Sequence, residues 1–244
     1  KFLKEYDMYS NHITYDYAIF AEIKYLGEKN NFNVVPLFGQ ELTLKDCNEC
    51  DFIFCIFEGV YAFMNGKMKM YKNNMSVLKR TKAKVFPSQE MQEFIIKKHK
   101  YMTYLKKKGF KIPLTKFIDL KKVNINNLTK FIPNNNLDKF NIKPELGAFK
   151  TGFKILNNPN KVKGYLEQLK KQDYNRLLVQ PFIGEFNKYG EIKTYWINGE
   201  NVFSYKQQWK NGEGIFDKQQ NIEPELLKEC IETGKKLLKV LFKD

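Results

Sequence analysis

The chain has 244 residues, enough for one large domain or two smaller ones with a substantial buried core. It is 43% hydrophobic, 15% aromatic and 28% charged, a composition that excludes collagen, coiled coils and a wholly disordered chain. No apolar run approaches the roughly 20 residues that a membrane-spanning helix needs, and no secretory leader opens the sequence, so we expect a cytoplasmic protein without a membrane partner.

The formal net charge is +15, and it is distributed unevenly along the chain. Residues 1–90 carry 12 basic and 11 acidic side chains, whereas residues 91–244 carry 30 and 16. Only two of the 42 basic residues, Arg80 and Arg176, are arginine, a usage typical of an AT-rich genome. The positive second part fits a nucleotide or phosphorylated ligand and equally fits solvated lysine faces. Because arginine clusters and base-stacking motifs are missing, we do not expect nucleic acid as a partner.

The first third of the chain alternates helices with strands, which predicts a parallel sheet. Apolar periodicity predicts a helix over 14–30, strands over 33–37 and 51–57, a helix over 67–80, a strand over 83–86 and one continuous helix over 88–108. Ligands bind beyond the carboxyl ends of such strands, so Glu58 and Gly59 are either the edge of a site or an exposed turn.

The pattern changes near Pro113 to a mixture of short strands and helices. Strands are predicted near 115–120, 140–143, 152–156, 176–180, 191–197 and 201–209, and helices near 160–171 and 223–242. This second part therefore has an α+β character, after an α/β first part.

One lysine of the long predicted helix lies among apolar neighbours. At 100° per residue, Lys98 falls in the middle of the apolar stripe of residues 88–108. Burial of an unpaired ammonium is costly, so this side chain either extends to the surface or meets an anion. The next residue, His99, is expected at the surface.

A second lysine ends a predicted strand and precedes a loop that contains glycine. Lys143 and Pro144 are followed by Gly147, Thr151 and Gly152. Glycine lets backbone N–H groups approach an anion, and the threonine adds a hydroxyl donor. The segment is either an anion-binding loop or an ordinary β-hairpin, and it does not follow the Walker pattern.

The asparagine–glycine pair at 198–199 predicts a β-hairpin with a two-residue loop. The resulting register pairs Glu191 with Lys206 and Lys193 with Ser204, and places all four on one face of the sheet. This face is either a solvated surface with cross-strand ion pairs or a site for a ribose and phosphates.

Taken in order, these segments resemble the ATP-grasp superfamily over residues 84–244, in particular its glutathione-synthetase-like and ribosomal-protein glutamate ligase-like branches. In this family a phosphate-binding lysine lies eleven residues before a Gly-x-x-x-Pro stretch, as Lys98 lies before Gly109 and Pro113. The family's second phosphate lysine and its glycine loop are similar to Lys143 and residues 147–152.

The family's adenine-binding segment is similar to four consecutive residues, Gln180, Pro181, Phe182 and Ile183. The family commonly has an acidic residue where this chain has Pro181. Proline removes one N–H donor and leaves the carbonyl acceptor, so the resemblance still implies adenine binding here.

The segment Glu191-Ile192-Lys193 is similar to the family strand in which an acid holds the ribose and a base holds the reacting phosphate. Lysine in place of arginine gives up a bidentate contact. Lys206 matches a further basic position, so the resemblance implies Lys193 and Lys206 as catalytic residues. Asp244 stands for the first Mg²⁺ ligand, and we expect the C-terminal end of the domain to be incomplete.

The implied fold is a Rossmann-like pre-ATP-grasp domain over 1–87, followed by a two-lobed ATP-grasp domain over 88–244 with its small lobe near 115–183. The implied function is ATP- and Mg²⁺-dependent joining of a carboxylate to an amine through an acyl phosphate. The implied partners are ATP and a small carboxylate or phosphorylated substrate. The alternatives are an ATP-grasp kinase of a small polyanion, such as an inositol phosphate, and a non-catalytic ATP-grasp binding module.

Overall fold

A computed structural model describes residues 10–39, 41–56, 68–123, 128, 130–132, 137–146, 152–171, 174–210, 213–218 and 221–242. The chain divides into two compact units, Lys1–Pro181 and Phe182–Asp244. This division falls inside the predicted domain 88–244, close to the predicted end of its small lobe. Among the helices described, none has the length and apolar character that crossing a membrane requires.

The first unit opens with alternating helices and strands. In chain order these are α1 (Ser10–Lys29), α2 (Leu44–Asn48), β1 (Phe52–Phe54), α3 (Met68–Arg80), β2 (Lys84–Phe86), α4 (Gln89–Ile96) and α5 (Lys98–Lys107). β1 and β2 pair in parallel, as the alternation predicts. The strand predicted over 33–37 is wrong, because this segment has no strand structure and Pro36 has no N–H for a ladder. This two-stranded sheet does not test the expected Rossmann-like topology, which stays a prediction.

The predicted continuous helix over 88–108 is also wrong. α4 ends at Ile96, and Lys97 is extended, with φ −79° and ψ 91°, before α5 begins. The break has a tertiary cause, because the His99 N–H donates at 3.3 Å to the carboxylate of Glu145 and not to a helical carbonyl.

A four-stranded sheet forms the rest of the first unit. Its strands are β3 (Lys116–Asp119), β4 (Phe140–Pro144), β5 (Lys154–Leu156) and β6 (Arg176–Pro181), in the antiparallel order β3-β6-β4-β5. A 3₁₀ turn (Pro159–Lys161) leads into α6 (Val162–Lys171), whose buried residues join the sheet's inner face in one apolar core. Asp119 pairs with Arg176, whose carbonyl accepts the Glu145 N–H at 2.9 Å, so these three residues lie at one edge of the sheet.

The second unit contains a three-stranded antiparallel sheet, which one helix precedes and another follows along the chain. In chain order its elements are α7 (Glu185–Tyr189), β7 (Glu191–Ile197), β8 (Glu200–Lys210), β9 (Glu213–Lys218) and α8 (Pro224–Leu241). Asn198 and Gly199 have φ values of 51° and 83°, as a type I′ turn requires, so the predicted hairpin is confirmed. α8 packs against β7 where Gly234 meets the Trp196 ring, which leaves no room for a Cβ atom.

A β-bulge changes the register of this hairpin. Trp196 pairs with Asn201, but Tyr195 pairs with Phe203, so Val202 is an extra residue in β8. The side-chain amide of Asn201 stabilises the bulge by donating to the carbonyls of Tyr195 and Phe203, at 3.0 and 3.2 Å. The predicted register is therefore wrong on the far side of the bulge from the turn.

Candidate phosphate-binding site

Lys98 is the first residue of α5, and its side chain turns toward the end of β4. Its Nζ donates a hydrogen bond of 2.7 Å to the backbone carbonyl of Glu145. Burial and the nearby charge of Lys143 lower the pKa of Lys98 to about 8, against the opposing effect of the Glu145 carboxylate. The structure therefore places Lys98 inward, and the two ammonium groups create a local positive potential that an anion would relieve.

Lys143 reaches this region from a separate element. It lies in β4 between Ile142 and Pro144, which are buried on the core side of the sheet. Because side chains alternate along a strand, Lys143 projects from the opposite face. The structure thus brings together the two lysines that the resemblance assigns to phosphate, and their role in binding stays a prediction.

The glycine loop after Lys143 is described only at its end. Gly147 and Thr151 lie outside the described residues. Gly152 has a φ of 65°, and a Cβ atom there would lie 2.5 Å from the side chain of Pro144, so the position requires glycine. The Tyr165 hydroxyl donates to the Gly152 carbonyl at 2.5 Å and anchors the return of the chain. β4 and β5 do form a hairpin, which is compatible with an anion-binding loop at its tip.

A cluster next to Lys98 was missed by the sequence analysis. Arg176 donates from one guanidinium nitrogen to His99 Nε2 at 2.7 Å, and His99 Nδ1 contacts the Glu145 carboxylate. Since arginine only donates, Nε2 accepts and Nδ1 carries the proton that it donates to Glu145. The expectation of a surface histidine is wrong, because the His99 side chain is 28% exposed and is held on both sides. The contacts join residues 46 and 77 positions apart, and no sequence spacing signals them.

An open pocket of about 460 Å³ lies beside this cluster and is lined by His99, Asp119, Lys121, Glu145 and Arg176, among others. The positive charge at its rim is partly neutralised, since Lys97 and Lys100 both pair with Glu93, at 3.0 and 2.9 Å. Its lining does not include Lys98 or Lys143, so we assign the pocket no ligand.

The predicted adenine segment begins in the last strand of the first unit. Gln180 is buried, and its side-chain amide donates to the Thr115 hydroxyl at 2.8 Å. The Pro181 carbonyl accepts from the Asn141 side chain at 3.2 Å and retains a second lone pair. Asn141 Oδ1 is buried without a hydrogen-bond partner in the part of the chain that the structure describes. Phe182 and Ile183 are half-buried and open the second unit.

The bulge separates the two predicted catalytic lysines in the second unit. Glu191 pairs with Gln207 and Lys193 with Tyr205, so Glu191 and Lys193 share one face of the sheet. Lys206 instead pairs with Ile192, on the other face. The prediction that Lys206 and Ser204 share a face with Glu191 and Lys193 is wrong, because the extra residue in β8 inverts the alternation.

The face of the sheet that carries Lys206 packs against α8. Trp196 belongs to it and packs against α8 at Gly234. Its indole N–H donates to the Thr194 hydroxyl at 2.9 Å, on the same side of the strand.

The predicted metal ligand cannot be placed. Asp244 lies outside the described residues, and so do Glu58 and Gly59 of the first unit. At the positions that the structure does describe, no three His, Cys, Asp or Glu side chains come close enough together to hold a metal ion.

Comparison with known proteins finds solved structures of similar fold. No protein-family model matches the chain, and a search of curated protein sequences finds no match. Among solved structures, D-cycloserine synthetase DcsG superposes with a TM-score of 0.67 and 9% identity, over 91% of this chain and 74% of that one. D-alanine–D-alanine ligase from Bacillus anthracis, complexed with ATP, gives a TM-score of 0.59 and 16% identity, over 87% and 68%.

A third similar structure is D-alanyl-alanine synthetase A from Vibrio cholerae, with a TM-score of 0.53 and 11% identity, over 79% of this chain and 60% of that one. At such identities the similarity concerns the fold. It agrees with the fold that the resemblance implies, and it does not test the lysines or the glycine loop. The chain therefore has the fold of these ligases and synthetases. Membership of the ATP-grasp superfamily stays what the resemblance implies.

Proposed function

We propose that the chain binds ATP through Lys98 and Lys143 and uses it to activate a carboxylate for attack by an amine. The observation that carries the proposal is the position of Lys98, whose Nζ is held at the end of β4 by the Glu145 carbonyl, near Lys143. Burial and, after it, the charge of Lys143 lower the pKa of Lys98 to about 8. A triphosphate beside the pair would favour the charged form of both lysines. The net charge of +14 over residues 91–181 adds a longer-range attraction for an anionic nucleotide.

Adenine recognition is supported by the orphaned acceptor of Asn141. A buried acceptor without a partner costs free energy unless a ligand satisfies it. Asn141 is hydrogen-bonded to Pro181, within the segment that resembles the adenine-binding one. The amino group of adenine is a donor that fits such an acceptor, whereas guanine presents a carbonyl at the corresponding position.

The proposed reaction has two steps. A carboxylate oxygen attacks the γ-phosphorus of ATP, ADP leaves, and an acyl phosphate forms. An amine then attacks the carbonyl carbon, inorganic phosphate leaves, and the nitrogen loses a proton to give the amide. The contribution of the protein is positioning and electrostatic stabilisation, since phosphoryl transfer needs little covalent chemistry from side chains.

The resemblance assigns these tasks to particular residues. Lys98 and Lys143 hold phosphate in the first unit. Glu191 binds the ribose hydroxyls and Lys193 the reacting phosphate in the second unit, and the two share an exposed strand face there. We omit Lys206 from this set because it lies on the opposite face.

Mg²⁺ accompanies ATP in this superfamily and would neutralise charge on the transferring phosphate. The described residues do not fit such a site, since they form no suitable cluster of acidic, histidine or cysteine side chains. We therefore assign no step of the reaction to the metal.

The test is calorimetric titration of ATP into the full chain and into Lys143→Ala. We expect the variant to lose detectable binding while its melting temperature stays close to that of the wild type, because the half-buried Lys143 side chain projects away from the core. Lys163→Ala, which removes the same charge from an exposed position on α6, is the matched control. Equal ATP affinity in Lys143→Ala and wild type would refute the assignment.

A kinase of a small polyanion is a second candidate, favoured by the same +14 charge over residues 91–181. The products distinguish the two reactions. A ligase releases inorganic phosphate only when an amine and a carboxylate are both present, whereas a kinase transfers phosphate to an alcohol, and phosphorus NMR separates these outcomes. ATP binding without either product would identify a binding module.

A further inference from the structure

We propose that His99 and Arg176 are positioning residues, which act through Glu145 to hold Lys98 where it meets the phosphates of ATP. This inference rests on the proposed function for its nucleotide. The geometry of the cluster itself does not depend on that function. None of the three residues belongs to the binding set that the family resemblance implies.

The argument begins with the start of α5. The first N–H groups of a helix need acceptors, and Lys97 offers α5 no side-chain cap. The Glu145 carboxylate supplies one from the end of β4, by accepting the His99 N–H at 3.3 Å. A negative charge at a helix N-terminus also interacts favourably with the helix dipole. Glu145 therefore determines where α5 begins, and Lys98 is the first residue of that helix.

Glu145 is itself held on several sides. Its N–H donates to the Arg176 carbonyl at 2.9 Å, and its carboxylate contacts His99 Nδ1 and lies 3.8 Å from the Arg176 guanidinium. Only 8% of the residue is exposed. The carbonyl of this immobilised residue accepts the hydrogen bond from Lys98 Nζ. One residue thus caps the helix and orients the ammonium group.

Arg176 contacts both other members of the cluster through one guanidinium nitrogen. The same guanidinium nitrogen lies 2.7 Å from His99 Nε2 and 3.8 Å from Glu145, and the planar group is fixed more rigidly than an ammonium on a flexible stem. The chain uses lysine at 40 of its 42 basic positions. The other arginine, Arg80, makes a local contact, from Nε to the Ser76 carbonyl at 3.1 Å in α3. Arginine is therefore unusual at position 176 in so lysine-rich a chain, and its contacts with His99 and Glu145 explain why it occurs there.

The first experiment measures the titration of Lys98 directly, by NMR of ¹³C-labelled lysine side chains in the ligand-free full chain. The Lys98 signal is assigned by its loss in Lys98→Arg. In Arg176→Lys we expect its pKa to rise from about 8 toward the ordinary lysine value of 10.5, because the released side chain reaches water. Arg80→Lys, the same substitution at the other arginine, should leave it unchanged. An unchanged pKa of Lys98 in Arg176→Lys would overturn the proposal.

The second experiment measures ATP affinity of the same variants by calorimetry. We expect Arg176→Lys to bind ATP about tenfold more weakly and Arg80→Lys to bind it as the wild type does. Equal affinity in Arg176→Lys and the wild type would overturn the positioning role. Absence of ATP binding by the wild type would refute the proposed function instead, and the NMR titration would still decide whether the cluster positions Lys98.

Melting curves of the ligand-free variants separate positioning from a purely structural role. If Arg176 has only a structural role, Arg176→Lys should have a lower melting temperature, and the pKa of Lys98 should stay at its wild-type value. If Arg176→Lys does not fold, His99→Asn provides a second variant, since its amide can donate to Glu145 but offers no acceptor at the position of Nε2. In His99→Asn we expect a smaller rise in the pKa of Lys98. An unchanged pKa would contradict the proposal.

Discussion

Residues 91–181 of the first unit and residues 182–244 of the second differ in how they balance charge. The former carry 20 basic and six acidic side chains, the latter ten of each. A general drift toward lysine would raise the basic count in both regions and leave the acidic counts alike. Instead, acidic residues are fewer in the longer region. The excess charge of residues 91–181 therefore reflects a shortage of carboxylates as well as an abundance of lysine, and a drift in codon usage does not explain the shortage.

The two units also differ in what holds their candidate residues. The first unit has a core with several fully buried side chains, among them Phe140, Ile142 and Leu177. Over residues 182–208 and 221–242 of the second unit, where burial is described, Ile222 is the one buried hydrophobic residue. The rings of Tyr195 and Phe203 contact each other at a tilt of 40°, and both residues are exposed on the face that carries Glu191 and Lys193. The first unit thus provides a rigid frame for its lysines, and the second presents an exposed surface.

The largest effect that tests this comparison is on stability. Leu177→Ala removes a fully buried side chain, and we expect the free energy of unfolding to fall by about 3 kcal/mol. Leu226→Ala, at a position that is 37% exposed in α8, should cost less than about 1 kcal/mol. Urea unfolding followed by circular dichroism measures both. Similar losses in the two variants would remove the distinction between the units.

The next effect concerns pH. At pH values above about 8, ligand-free Lys98 is mostly neutral, and bound ATP should restore its proton because phosphate favours the ammonium form. ATP affinity should therefore fall by more than about tenfold between about pH 7 and about pH 9.5, with proton uptake on binding. Calorimetry in two buffers of different ionisation enthalpy counts the protons. In Lys98→Arg, which cannot lose its proton, the uptake should disappear.

A smaller effect is expected on nucleotide selectivity. Asn141→Leu removes the buried acceptor next to Pro181 and should reduce the preference for ATP over GTP by about fivefold. The readout is the ratio of the two dissociation constants, which a general loss of stability would not change. An unaltered ratio would show that Asn141 Oδ1 does not meet the base.

The smallest effect tests the charge asymmetry itself. Lys161→Glu, at an exposed position of the positive region, should weaken ATP binding by about twofold at low salt. Lys228→Glu, exposed in the neutral second unit, should have less effect. In about 1 M salt both effects should vanish, because the screening length is then about 3 Å. Equal effects of the two substitutions at low salt would contradict a positive electrostatic potential that is confined to the first unit.

Features set by local chemistry could be predicted from the sequence. The positive φ values of Asn198 and Gly199 follow from the residue types, and the alternation along β4 places Lys143 opposite the core. The spacing of lysines, glycines and strands predicts a fold that the similar solved structures share with this chain. These signals lie within short segments, so a single sequence contains them.

Features set by distant contacts could not be predicted. The break at Lys97 depends on Glu145, which lies 46 residues beyond the His99 N–H that it accepts. Apolar periodicity runs unbroken through that break. The bulge in β8 depends on the Asn201 amide, which satisfies two carbonyls that a regular ladder would have paired differently. In both cases a polar side chain overrides the periodic pattern on which the prediction was based.

The extra residue Val202 has a consequence for how this hairpin can change over generations. Loss of that single codon would leave a regular ladder in which Lys206 keeps its partner Ile192. Regular pairing that retains Val202 would instead move every later residue of β8 to the opposite face, and Lys206 would join Glu191 and Lys193. The choice between an aromatic and a cationic lining of this surface therefore depends on whether the bulge persists, and a one-residue deletion would make the aromatic lining permanent.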